Sequence, residues 1–155
     1  MPRTLVVGVG NDGCGDDAVG PLTARSLAGA WPDASAAGVD IVPWTGPPLD
    51  LLPRLEGVER LVLIDALVSG AAPGTIRRID GDAQLRSRAA TSSHGLGVAE
   101  VLELLRALGR APPRVDVWGI EGAAFVPGGP VSASVRRSAM ALARRLRREL
   151  STPTR

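Results

Sequence analysis

Thr4–Val9 reads TLVVGV and runs directly into GNDGCGDD, Gly10–Asp17. A short apolar run closed by glycine is the pattern of a strand buried on both faces. The eight residues that follow hold three glycines and three aspartates, which predicts a loop and not regular structure. A helix is expected from near Val19 to about Gly29, with Pro21 in its first turn, where a missing N–H costs nothing. RLVLID, Arg60–Asp65, repeats the buried-strand pattern and ends on an aspartate. Working outward, VDIVPW (Val39–Trp44) and VDVWGI (Val115–Ile120) add strands, and the half-polar, alternating TIRRID (Thr75–Asp80) suits a sheet edge. Pro48–Leu55 suits a short helix. SSHGLG (Ser92–Gly97) opens another, with Val98, Val101, Leu102, Leu105 and Leu108 on one face and Gly109 as its C-terminal cap. A last helix, from about Ser132 to Leu150, carries Val135, Ala139, Leu142, Leu146 and Leu150 at helical spacing, with arginines opposite. Strands alternating with helices predict an α/β fold: a three-layer α/β/α domain over residues 1–155, with a twisted, mostly parallel central sheet of about five strands and a frayed tail at 151–155.

Composition narrows the function. At 155 residues and 45% hydrophobic content the chain can bury a sizeable core and is not a disordered segment. No uncharged apolar run reaches the roughly 18–20 residues of a membrane span, and the N-terminus turns to Gly and Asp too early for a signal peptide. The expected compartment is the cytoplasm. A single cysteine, Cys14, excludes an internal disulfide framework. Eighteen basic residues, all arginine, face sixteen acids, so the net charge is only +2. The basic cluster lies on the C-terminal helix and aromatics make up 3%, which does not suit a nucleic-acid binder. Neither nucleic acid nor membrane is expected as a partner.

Gly8, Gly10 and Gly13 match the dinucleotide fingerprint G-x-G-x-x-G after a strand. Its mechanism fails here. Phosphate needs bare N–H groups at a helix N-terminus, whereas Asp12, Asp16 and Asp17 crowd the loop with like charge. The acid expected at the end of the second strand is missing; Asp40 sits near that strand's start. A cation suits the loop better. Asp17 or Asp16, at the end of one strand, and Asp65, at the end of a neighbouring parallel strand, would converge at the carboxyl edge of the sheet. His94, the one histidine, would complete a three-ligand site for zinc, nickel or a similar ion. Plainer roles compete: Asp16 or Asp17 as a helix cap, Asp65 closing a turn, His94 as a structural histidine, Cys14 as incidental.

The segments GVGNDGCGDDAVG, LDLLPRLEGVERLVLIDAL, SSHGLG and GIEGAAFVPG, in this order, resemble the hydrogenase maturation proteases, and the resemblance runs from about Arg3 to Leu150. It implies a three-layer α/β fold and an endopeptidase. The substrate would be the precursor of a nickel–iron hydrogenase large subunit, from which a C-terminal extension is cut after nickel insertion. The family's nickel-interacting residues fall on Asp17, Asp65 and His94, which would serve as both metal and catalytic residues, with Asp16 shaping the loop. Nickel would arrive with the substrate, no tightly bound metal is expected in the isolated protein, and the enzyme would be a monomer. The other class left open is a non-catalytic or nucleotide-binding α/β module. Two departures from the family pattern border the expected cleft: Asp12, Gly13 and Cys14 in the first loop, and Pro43-Trp44-Thr45-Gly46 after the second strand. Both bear on which hydrogenase is the partner.

Overall fold

The computed structural model describes residues 3–80 and 93–152. Within them the chain forms β1 (Thr4–Val9), α1 (Val19–Ala30), β2 (Val39–Trp44), β3 (Arg60–Leu67), β4 (Ile76–Asp80), α2 (Ser93–Ala107), β5 (Arg114–Glu121) and α3 (Ala133–Ser151). The strands build one sheet in the order β2-β1-β3-β5-β4. The first four in that order run parallel, and β4 is the antiparallel edge strand.

Strand alternation assigns the two faces. Leu5, Val7, Leu61, Leu63, Val115 and Val117 point to one side, where Leu51 and Leu55 and the Val101, Leu102 and Leu105 face of α2 cover them. Val6, Val62, Ile64, Trp118 and Ile120 point to the other, under α1 and the Val135–Leu142–Leu146 stripe of α3. Two cores on one sheet make the three layers. Leu63, 2% exposed at the middle of the α2-side core, reports on this packing. Leu63→Ala should cost about 2–5 kcal/mol through the cavity it leaves, read as a lower urea midpoint with an unchanged slope.

α1 reaches the sheet with no side chain in between. A Cβ on Gly8 would collide with the Gly20 carbonyl, and one on Gly20 would lie 2.6 Å from the Ile64 carbonyl oxygen. Glycine at both positions brings the start of α1 against β1 and β3. At the far end, α2 closes in a Schellman motif. Gly109, at φ +72°, donates its N–H to Arg106, and Arg110 donates to Leu105.

Several boundaries differ from expectation. Residues Gly15–Ala18, read as loop, wind into a 3₁₀ turn. Pro48–Leu55 is also 3₁₀, with Pro53 inside it and no N–H there to extend an α-helix. β3 continues to Leu67, because β5 pairs with it as far as Glu121, so Asp65 lies inside the strand and not at its last residue. Leu108 falls beyond α2 and is exposed.

Candidate active site

The carboxyl ends of β1, β3 and β5 lie side by side, and each carries acidic residues. After β1, the first loop turns through the 3₁₀ segment Gly15–Ala18 into α1. Asp16 and Asp17 are adjacent in it and do different work. Asp16 is fully buried. Its Oδ2 accepts hydrogen bonds from the N–H groups of Ala123 (2.7 Å) and Ala124 (3.0 Å) and from the Ser132 hydroxyl (2.8 Å), and its Oδ1 accepts the Ser132 N–H at 2.6 Å. The carboxylate thus binds the first loop to the segment after β5 and to the residue that opens α3. It caps no helix of its own: neither the 3₁₀ turn nor α1 has a side-chain cap.

Two backbone pairs reinforce this junction. Asp16 N–H donates to the Ala124 carbonyl, and Gly128 N–H to that of Gly13. Cys14 bridges to Pro127 and sets its sulfur 3.2 Å from the Phe125 carbonyl oxygen. Cys14 is therefore part of the seam between the two loops.

Asp17, the next residue, is half-buried. Its backbone is seated against Gly10, where any Cβ would strike the Asp17 carbonyl. Gly20, three residues on, closely approaches Ile64, which directly precedes Asp65 in β3. Asp65 is 8% exposed, more enclosed than a cleft-lining group on a strand end would be, and its Oδ1 accepts the N–H of Ala66 at 2.8 Å. By strand alternation it shares the α2-covered face with Leu61 and Leu63.

His94 stands in the first turn of α2; its side chain lies outside the described residues. The backbone path still places that turn. Leu105 and Arg110, at the end of α2, line a hollow with Val58 and Glu59 at the start of β3. Fifteen helical residues rise about 22 Å, so α2 begins toward the opposite, carboxyl edge, over the face that holds Asp65. Among the described residues, no three His, Cys, Asp or Glu side chains converge into a metal-binding group.

Glu121, at the end of β5, was not singled out from the sequence. It is buried and accepts hydrogen bonds from Ser69 N–H (2.8 Å), Ser69 hydroxyl (2.7 Å) and Gly70 N–H (3.0 Å), tying the loop after β3 to β5. For both Asp16 and Glu121, burial opposes the charge. The hydrogen bonds outweigh it, from Ser132, Ala124 and Ala123 in one case and from Ser69, Gly70 and the nearby Arg77 charge in the other, and both carboxyl groups titrate below their ordinary values. A folded-state pKa below the unfolded one gives stability that is present above the unfolded values, about 3.9 for Asp and 4.3 for Glu. That stability disappears as pH falls through the folded values. The melting temperature should therefore drop on acidification below about pH 4, and the drop should be shallower in Glu121→Gln.

The glycine fingerprint has a structural use. Gly8 and Gly10 serve backbone packing, whereas a Cβ on Gly13 would meet only the Asn11 side chain, at 3.6 Å. α1 does not start until Val19, well past the third glycine, so no helix N-terminus is presented to a pyrophosphate at the fingerprint. Asp12 forms a two-pronged ion pair with Arg25, whose hydrogen bonds hold its carboxyl below the usual range. Trp44, at the end of β2, packs half-buried on the core, donates its indole N–H to the Pro47 carbonyl and lies beneath Arg54.

Comparison with known proteins identifies the family and the fold. The sequence model of the hydrogenase maturation proteases matches residues 39–148. The chain is 32% identical to the hydrogenase 2 maturation protease of Escherichia coli over 122 residues, 76% of this chain and 72% of that protein. It is 30% identical to the hydrogenase expression/formation protein HupD of Thiocapsa roseopersicina, again over 122 residues, 77% of this chain. The aligned part spans 54% of that relative, about half its length. Among solved structures, the [NiFe] hydrogenase maturation protease HybD from Thermococcus kodakarensis superposes with a TM-score of 0.77 at 26% identity, covering 97% of this chain and 99% of that one. The hydrogenase maturating endopeptidase HybD from E. coli gives 0.74 at 25% identity, covering 95% and 93%.

Proposed function

The chain belongs to the hydrogenase maturation protease family, and on that premise we propose that it is an endopeptidase acting on a nickel–iron hydrogenase large-subunit precursor. It removes the C-terminal extension once nickel is in place. Asp17, Asp65 and His94 are the working residues. The observation that supports the reading is the glycine packing of the first loop: Gly10 lies against the Asp17 backbone, and Gly20, three residues on from Asp17, lies against Ile64, which directly precedes Asp65 in β3.

Two carboxylates and an imidazole are borderline ligands without a thiolate. They suit a metal that the substrate itself holds, and no tightly bound metal is expected in the isolated protein. A divalent ion supplied in this way can polarise the scissile carbonyl or acidify a water. The chain's own contribution is to hold its carboxylates against that substrate-borne charge and to accept a proton. Water oxygen adds to the carbonyl carbon and a carboxylate of Asp17 or Asp65 takes the proton. The C–N bond then breaks as the proton passes to the leaving amine.

Incubation of the protein with nickel-loaded and nickel-free precursor, followed by intact-mass measurement, tests the proposal. Loss of a C-terminal fragment from the loaded precursor alone is expected. An unchanged mass in both would remove the peptidase assignment. The compartment of the reaction is proposed to be the cytoplasm; among the described residues no helix is long and apolar enough to cross a membrane.

A further inference from the structure

The site leaves α3 unused, and that helix carries an unusual face. Arg136, Arg137, Arg144, Arg147 and Arg148 are all exposed and project within an arc of about 120° at 100° per residue. They extend about 18 Å along the helix. None of the five forms an ion pair among the described residues. The one acid of α3, Glu149, lies on the far flank, where it pairs with Arg145 at 3.1 Å.

Arginine abundance does not account for this. Elsewhere Arg3, Arg25, Arg60, Arg78, Arg106, Arg110 and Arg114 each stand within 4 Å of a carboxylate. Helix energetics does not account for it either. The dipole favours cations only in the last turn, whereas Arg136 lies in the first. Arg144 has like-charged neighbours three and four residues on, an arrangement that opposes helix formation.

We propose that this stripe is an exosite for an acidic surface of the protein substrate, outside the cleavage site. The proposal rests on the peptidase reading above. Continuity supports it: Ser132, which opens α3, is hydrogen-bonded to Asp16, and Asp17 is the next residue. The stripe starts one helical turn from the candidate site and leads away from it, so a protein seated at the site can lie along it. Charge complementarity supports it as well. With the five arginines set aside, the +2 chain becomes −3, so the net positive charge of the chain is carried by this face. A nucleic acid is disfavoured because no aromatic side chain lies on α3 to stack on a base. A membrane surface is disfavoured because the exposed large apolar residues, Leu49, Val68, Leu108 and Val126, all lie off α3. Electrostatic complementarity of this kind sets encounter rate, salt dependence and partner choice.

The test compares the wild type with Arg136→Glu/Arg144→Glu, which reduces the stripe from five positive charges to a net one. Both glutamates agree with helix physics, one near the N-terminus and one three and four residues before Arg147 and Arg148. The variant should therefore melt at or above the wild-type temperature. Binding of nickel-loaded precursor is measured apart from cleavage, at 50 and 200 mM NaCl. Wild type should lose about tenfold in affinity across that range as the salt screens the contact. The double variant should bind at least tenfold more weakly at 50 mM with a flattened salt response, and Arg136→Lys/Arg144→Lys should restore binding. If wild type binds and cleaves but the double variant binds equally well, the exosite is wrong and the peptidase reading stands. If wild type neither binds nor cleaves the precursor, the peptidase reading fails first and the exosite falls with it. Stripe-dependent binding to phosphatidylglycerol vesicles or to a DNA duplex, with precursor affinity unchanged in the variant, would overturn the proposal in favour of that polyanion.

Discussion

Asp16→Ala should lower the unfolding free energy by about 3–5 kcal/mol, because it removes the acceptor for four donors in one step and each buried donor left unpaired costs about 1–3 kcal/mol. The four hydrogen bonds are the ones joining the first loop to Ala123, Ala124 and Ser132. Native domains hold roughly 5–15 kcal/mol in all, so the change is a large share of the total. Asp16→Asn should recover only part. Whichever way the amide turns, its NH2 faces a backbone N–H that had a carboxylate oxygen. Asp17→Ala, one residue on and half-buried, is the control, and it should stay within about 1 kcal/mol of wild type. Urea titrations of the three variants settle the matter. Equal midpoints for Asp16→Ala and wild type would mean that the clamp does not hold the loops together.

The second large effect is on turnover. His94→Ala, Asp65→Asn and Asp17→Asn should each reduce precursor cleavage by about 10²–10⁴-fold, the range for loss of a positioned acid–base group. Asp17→Glu should keep part of the activity because the carboxylate survives. Melting curves should stay close to wild type. Asp65→Asn preserves the shape of a nearly buried group and can still accept the Ala66 N–H, and Asp17 is only half-buried. Cleavage of nickel-loaded precursor at the wild-type rate by His94→Ala would remove His94 from the site. A melt far below wild type would instead make it a structural histidine.

Hydrophobic patterning made most of the fold legible. TLVVGV and VDIVPW match β1 and β2 residue for residue, and the α3 stripe from Val135 to Leu146 is buried as its spacing requires. The pairing of strands was not legible in that way. An alternating TIRRID announces an edge, yet nothing local in it says that β4 runs antiparallel. Electrostatic structure was the least legible. Asp116 reads as a polar interruption in VDVWGI, but it is almost fully buried and held by Arg60 at 2.8 Å, from a strand 56 residues away. Asp16 and Glu121 likewise find their partners across the fold, and no short window of sequence contains both ends of such a bond. The acids at positions 16 and 17 look equivalent in a string of letters. Only the arrival of the segment after β5 makes Asp16 the joint between the two loops.

The seat made by Gly8, Gly10 and Gly20 has a consequence for how such a protein can diversify. At Asp17 the backbone is packed main chain against main chain, on Gly10. Asn11, Asp12 and Gly13 stand out in solvent, and the space at Gly13 admits a larger residue. Mutational drift can therefore rewrite the tip while the backbone at Asp17 keeps its seat on Gly10. A lineage can change the tip in small, individually tolerable steps without disturbing the backbone contact that seats Asp17.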